Sequence, residues 1–211
     1  MTASGLEADN LDGGQEAAVG SMRALSAGVA WLGFAMLSTT VAGAQDVDPN
    51  VWIADAESIG QNWISYGDPA PANSDTGHGV ASYFLNSLDY DRPHLGLISV
   101  DPEDNPTLAD VSVLVTRDYL DRTLGLRPEP AQGPGDGRAF TLSGRVGAYE
   151  RVYLMFRVEN VSLLIAAFAP PSNTAEPDLL SSLNEDVIHL AQVEAAFVAS
   201  AVHPPDQIPE E

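Results

Sequence analysis

Apolar and polar positions alternate most regularly in Ala148–Phe168, "AYERVYLMFRVENVSLLIAAF". With Glu159-Asn160 at the tip of a hairpin, Val158 faces Val161, Phe156 faces Leu163, Leu154 faces Ile165 and Val152 faces Ala167. Residues directly opposite share a face, so this makes one uninterrupted apolar face. The other face pairs Arg157 with Ser162, Met155 with Leu164, Tyr153 with Ala166 and Arg151 with Phe168. The turn chemistry is imperfect, because a two-residue turn prefers Asn-Gly and Glu159 at positive φ is strained.

Near the C-terminus the period changes. In "LLSSLNEDVIHLAQVEAAFVASAV", Val187, Leu190, Ala191, Phe197, Val198 and Ala201 recur at three- and four-residue steps, which predicts a helix. Glu185, Asp186, His189 and Gln192 form its opposite face. Pro204-Pro205 stops it, and the acidic tail beyond is expected to be mobile. The helix stripe suits the hairpin's apolar face, with Phe197 as a large buried contact whose change to Asp is expected to stop folding.

Shorter signals complete the pattern. Asp55 is a fair N-cap for a short helix ending at Gly60, and Trp63 opens an extended piece. Val80–Leu88, "VASYFLNSL", reads as a strand, and His94–Val100 as its return after a turn at "DYDRP". Asp68–Gly79 and Arg127–Gly137 read as surface loops. Asp110–Thr116 is ambiguous: one helix is possible, but alternating Val111, Val113 and Val115 favour a strand there, followed by a helix at Arg117–Leu124. The class expected is α+β, an antiparallel sheet with a long C-terminal helix packed on one face, plus a separate N-terminal signal helix.

The signal helix is read from the other apolar stretch. After Arg23, Ala24–Leu37 is apolar apart from Ser26. That is too short for a transmembrane helix, which takes roughly 20 residues. A single base, a short apolar run and Ala42-Gly43-Ala44 make a secretory signal. Cleavage is expected after Ala44, giving a secreted or extracytoplasmic protein with no stable membrane span. Residues 1–21 carry acids and no base, lack a hydrophobic period and should be disordered. Met22 reads as the translation start, an N-terminal extension being the alternative. The organisation expected is 1–21 extraneous, 22–44 signal, 45–203 a single α+β domain and 204–211 tail.

Composition narrows the partners. The chain has 211 residues, 30 acids against nine basic residues, a formal charge of −21 and no Cys. Every base is Arg. Phosphate binding needs clustered positive charge, so nucleic acid and anionic lipid are poor partners and no nucleic acid is expected. Without Cys there are no disulfides to form after export.

The opening "ADAESIGQNW", the strand turn from Arg157 to Phe168 and the Leu-Ala-rich final helix are similar to a group of uncharacterised exported bacterial proteins. The layout resembles α+β sandwiches of the PsbP/Mog1 type. That resemblance implies a fold and lends no catalytic residues.

Recognisable chemistry is sparse. His78, His94, His189 and His203 lack zinc-ligand spacing. Asn73–Gly77 and Asp101–Asn105 hold oxygen ligands without the EF-hand pattern. No nucleophile elbow, phosphate loop or dinucleotide fingerprint occurs. No metal or cofactor is expected. Asp89 and Asp91, with His94, form the most suggestive acid cluster for a small secreted hydrolase; a charged hairpin turn is the simpler reading, because a nearby acid pair is expected by chance in so acidic a chain. Tyr149, Arg151, Tyr153 and Arg157 alternate on the hairpin's second face, and aromatics with Arg are enriched at recognition surfaces. Pairing with nearby acids beneath a second covering layer is the alternative. The leading expectation is a non-enzymatic binding or scaffolding domain for an extracytoplasmic ligand or partner.

Overall fold

The computed structural model describes residues 49–71, 79–87, 94–169 and 178–203. In chain order the elements are α1 (Pro49–Trp52), α2 (Ala56–Ile59), β1 (Trp63–Ser65), β2 (Ala70–Pro71), β3 (Val80–Asn86), β4 (His94–Pro102), α3 (Pro106–Leu124), β5 (Glu129–Ala131), β6 (Ala139–Val146), β7 (Tyr149–Val158), β8 (Val161–Ala169) and α4 (Leu179–Val202). The expected signal, the C-terminal tail, Asp89 and Asp91 lie outside the described residues.

All neighbouring strands run antiparallel, in the order β1-β3-β4-β8-β7-β6-β5, with β2 beside β3. The hairpin sits at the centre in the register its alternation requires: Val158 opposite Val161, Leu154 opposite Ile165, Arg151 opposite Phe168. Glu159 takes the strained turn position, at φ 53°, the one non-glycine with positive φ among the described residues. The protein is α+β, and α4 closes one face of the sheet. Val152, Leu154, Phe156, Leu163, Ile165 and Ala167 meet Leu183, Val187, Leu190, Ala191 and Val198 in that core.

The ambiguous segment is all helix. Asn105 caps α3, its side-chain oxygen accepting the Leu108 N–H at 3.1 Å. Pro106 follows where a missing N–H is harmless. The strand expected at Asp110–Thr116 is therefore incorrect. Ala109, Val113, Thr116 and Leu120 are the buried set, at steps of three and four. They cover the second face of the sheet, which local alternation of valines could not reveal. α3 also carries the chain from inner strand β4 to edge strand β5. Covered on both faces, β8 is buried along its whole length, as expected of a central strand between two layers.

Three further differences follow from packing. Strand β6 has no counterpart among the elements expected from sequence; it pairs with β7 through Phe140 opposite Met155 and Leu142 opposite Tyr153. The Arg127–Gly137 loop contains β5 and then folds back on β7, where the Asp136 N–H donates to the Arg157 carbonyl. Phe197 is half-buried on the margin of the core, whereas Leu190 is fully enclosed. The damaging position on α4 is thus Leu190. Leu190→Ala should cost about 2–5 kcal/mol, read as a lower urea midpoint with an unchanged slope.

Candidate functional site

Of the residues singled out from sequence, Arg157 is the most heavily engaged. Its Nε donates to Asp110 Oδ1 at 2.9 Å, and its Nη1 to Asp136 Oδ2 at 2.7 Å and to the Glu159 carbonyl at 2.9 Å. Burial alone lowers the Arg157 pKa, but its bonds and charge pairing with Asp110 and Asp136 more than offset that and hold it above the ordinary value. Asp136 completes the knot by accepting the Glu159 N–H at 3.0 Å. One carboxylate thereby fixes the strained turn, the neighbouring strand and its own loop.

Tyr153 is 1% exposed. Its ring meets Phe168 edge-on at 5.7 Å, and burial raises its hydroxyl pKa. Arg151 donates to that hydroxyl at 3.2 Å and lies over the rings of Phe168 at 5.5 Å and Tyr149 at 5.8 Å. Tyr149 and Arg151 keep part of their surface open to solvent, at the opposite end of β7 from Arg157. The four residues therefore split into two groups: Arg157 secures a turn, and the other three form an aromatic–cation cluster.

His94 belongs to a third cluster. Its Nδ1 lies 2.6 Å from Asp186 Oδ2, and Asn86 Nδ2 donates to Asp186 Oδ1 at 3.0 Å. Two strands are thus tied to the first turns of α4. On the same helix, His189 Nε2 donates to the Ile59 carbonyl at 2.7 Å. Two residues of the helix's polar face, Asp186 and His189, thus dock the β3–β4 pair and α2.

Two carboxyls are perturbed by burial. Glu194 has no exposed surface. Its Oε2 accepts the Ala54 N–H at 3.1 Å, while Oε1 finds no hydrogen-bond partner. Burial pushes its pKa up to about 8. Asp101 is pushed up to about 7, by burial first and then by the charge of Glu103. Sequence could not mark either, since both look like ordinary acids in an acidic chain. Among the described residues, no group of three or more His, Asp or Glu is placed to hold a metal ion.

Above the Arg157 knot lies a recess of about 410 Å³. Val158, Ala195 and Ala199 give it apolar surface; Asp136, Glu159 and Gln192 supply polar groups; Pro134 and Gly135 complete the wall. It is shallow and open to solvent, unlike the enclosed clefts that bury most of a small ligand. The bonds made by Asp136 hold the wall in place without a ligand. No sequence motif marks this recess, because it joins a loop, a turn and the C-terminal half of α4.

No protein-family model and no curated protein matches the chain. Solved structures similar to it include the extracellular domain of PknH from Mycobacterium tuberculosis, at 12% identity and a TM-score of 0.39, covering 76% of this chain and 99% of that one. LpqN, involved in cell envelope biogenesis of Mycobacterium tuberculosis, matches at 11% identity and 0.34, over 60% of this chain and 75% of that one. A protein from Bacteroides thetaiotaomicron VPI-5482 matches at 13% identity and 0.37, over 62% of this chain. The match spans 41% of the Bacteroides chain. None of these likenesses assigns a residue or an activity here.

Proposed function

We propose that this chain is an exported binding or scaffolding domain rather than an enzyme. On this reading the signal is removed after Ala44, and residues 45–203 work outside the cytoplasm as one domain. The observation that carries the binding role is the recess beside Glu159, whose walls are held by Asp136 and Arg157. Its small apolar surfaces favour a compact ligand with an apolar body; Asp136 is already paired with Arg157 and Glu159 lies 3.5 Å from His203, so the preference for a cationic head comes from the charge of the whole chain. The formal charge of −21 draws cations toward the surface. Tyr149 and Arg151 offer a second contact point at the far end of β7.

The recess can be tested with alkylammonium and alkylcarboxylate probes of matched length. The ammonium series should raise the melting temperature and the carboxylates should not. Ala196→Trp, at an exposed lining position, should abolish the response while leaving the fold intact. An undiminished response in that variant would sink the recess as the site. Export has its own test: the protein recovered outside the cytoplasm should begin at Gln45. Recovery in the cytoplasm with Ala24–Leu37 retained would overturn it.

A further inference from the structure

Among the described residues Arg117, Arg151 and Arg157 are the arginines that are partly buried. Arg117 pairs with Asp118 at 2.6 Å, and Arg157 pairs with both Asp110 and Asp136. Arg151 pairs with no carboxylate among the described residues. In a chain with 30 acids against nine bases, that exception calls for a reason. Withdrawing a cation from water is unfavourable unless an anion compensates it.

The group is also held still. Arg151 Nη1 donates to the Tyr153 hydroxyl at 3.2 Å, and the guanidinium lies over the rings of Phe168 and Tyr149. Tyr153 and Phe168 are themselves buried, so neither can swing away. Across the sheet Arg151 faces Gly144, where an added β-carbon would meet Leu126 at 2.9 Å. That side is therefore closed by apolar surface. Arg151 Nε is buried and finds no hydrogen-bond partner. Two rings and one neutral hydroxyl compensate the charge less than a carboxylate does. The orientation is fixed in advance and the charge is left incompletely matched, so an arriving anion gains a contact at little ordering cost.

We infer that Arg151 binds the carboxylate of a small aromatic acid, whose ring lies against Tyr149. The inference rests on the binding reading above, but at the far end of β7 from the recess. One guanidinium carries one charge and presents a planar fork, which matches a carboxylate. A dianion needs more positive charge than a single arginine supplies, and the formal charge of −21 repels it more strongly. The same repulsion makes a bare anion a poor ligand, so part of the binding must come from an apolar body. Tyr149 keeps part of its surface open and supplies that contact. Free aromatic acids and the aromatic C-terminal residues of peptides share this chemistry.

Benzoate tests the site by nuclear magnetic resonance, with benzamide as its neutral isostere. The Arg151 Nε–H signal and the backbone amides of Gly144 and Tyr149 should shift saturably with benzoate and not with benzamide. Hexanoate, which lacks the ring, should bind about tenfold more weakly. N-acetylphenylalanine separates the two sources: tighter binding than benzoate assigns a peptide terminus, and weaker binding a free acid. Arg151→Lys keeps the charge, loses the fork and should weaken benzoate about tenfold. Tyr149→Ala, at a partly open position, should weaken it severalfold and tests the same site if the lysine variant folds poorly. Both variants should keep the recess's response to alkylammonium probes, and Ala196→Trp should keep benzoate binding, so either site can fail without the other. Equal shifts with benzamide, shifts that never saturate, or unchanged affinity in the variants overturns the assignment. Hexanoate binding as tightly as benzoate overturns the aromatic requirement.

Discussion

Glu194→Gln is expected to flatten the protein's stability between about pH 4.5 and 8 and to raise it above pH 8. The side chain has no exposed surface, one backbone partner and one unpartnered oxygen. A buried carboxylate without a cation is unfavourable, so the folded state keeps this group protonated up to about 8, against 4.5 for the solvated side chain. Between these values the folded chain binds a proton that the unfolded chain has released. The acid's stabilising contribution is complete below the lower value and is lost as pH rises through the higher one. A tenfold difference in proton affinity between the folded and unfolded chains corresponds to about 1.4 kcal/mol, so the wild-type loss amounts to several kcal/mol. Gln keeps an acceptor for Ala54 and cannot ionise. Urea midpoints at successive pH values should fall steeply for the wild type and less for the variant. The variant keeps a smaller slope of the same sign from Asp101, whose pKa is also raised, to about 7. Parallel curves for the two proteins would show that Glu194 does not ionise within the core.

Gly135→Ala should destabilise the fold by about 2–5 kcal/mol, well beyond the usual cost of adding a methyl group to a loop. A β-carbon at Gly135 would collide with the Arg157 carbonyl oxygen. That oxygen belongs to the central hairpin and cannot step aside. The loop must lift, taking with it the bonds that Asp136 makes to Arg157 and to Glu159. Gly147→Ala is the matched control. Gly147 has φ 62° and nothing within 4 Å of an added β-carbon, so it should lose only about 1 kcal/mol to backbone strain. Thermal denaturation of the two variants should separate them clearly. Equal melting temperatures would mean that the loop does not rest on β7 as described.

The contrast between these positions and the legible ones is physical. The hairpin register, the end of α2 at Gly60 and the long final helix depend on local periods and caps, which neighbouring residues carry. A period of two along the hairpin strands, with apolar residues on both faces, already implies a central strand. The class α+β follows, because one apolar sheet face and one apolar helix stripe must bury each other.

The site residues were only partly legible. Tyr149, Arg151, Tyr153 and Arg157 share a strand face, as alternation required, but sequence could not say which of them other segments would claim. Asp110 and Asp136, distant in sequence, claim Arg157. Asp186 claims His94.

By itself, then, the sequence determined the central hairpin, the closing helix and the strongly acidic, cysteine-free character of the chain. Tertiary structure alone decided that Val111 and Val115 lie on a helix, because burial of Ala109, Val113, Thr116 and Leu120 on the second sheet face outweighs their alternation. It alone decided that Glu194 is buried and that a recess opens beside Glu159. Periodicity is written between neighbours in the chain, whereas burial and cavities arise between segments far apart in it.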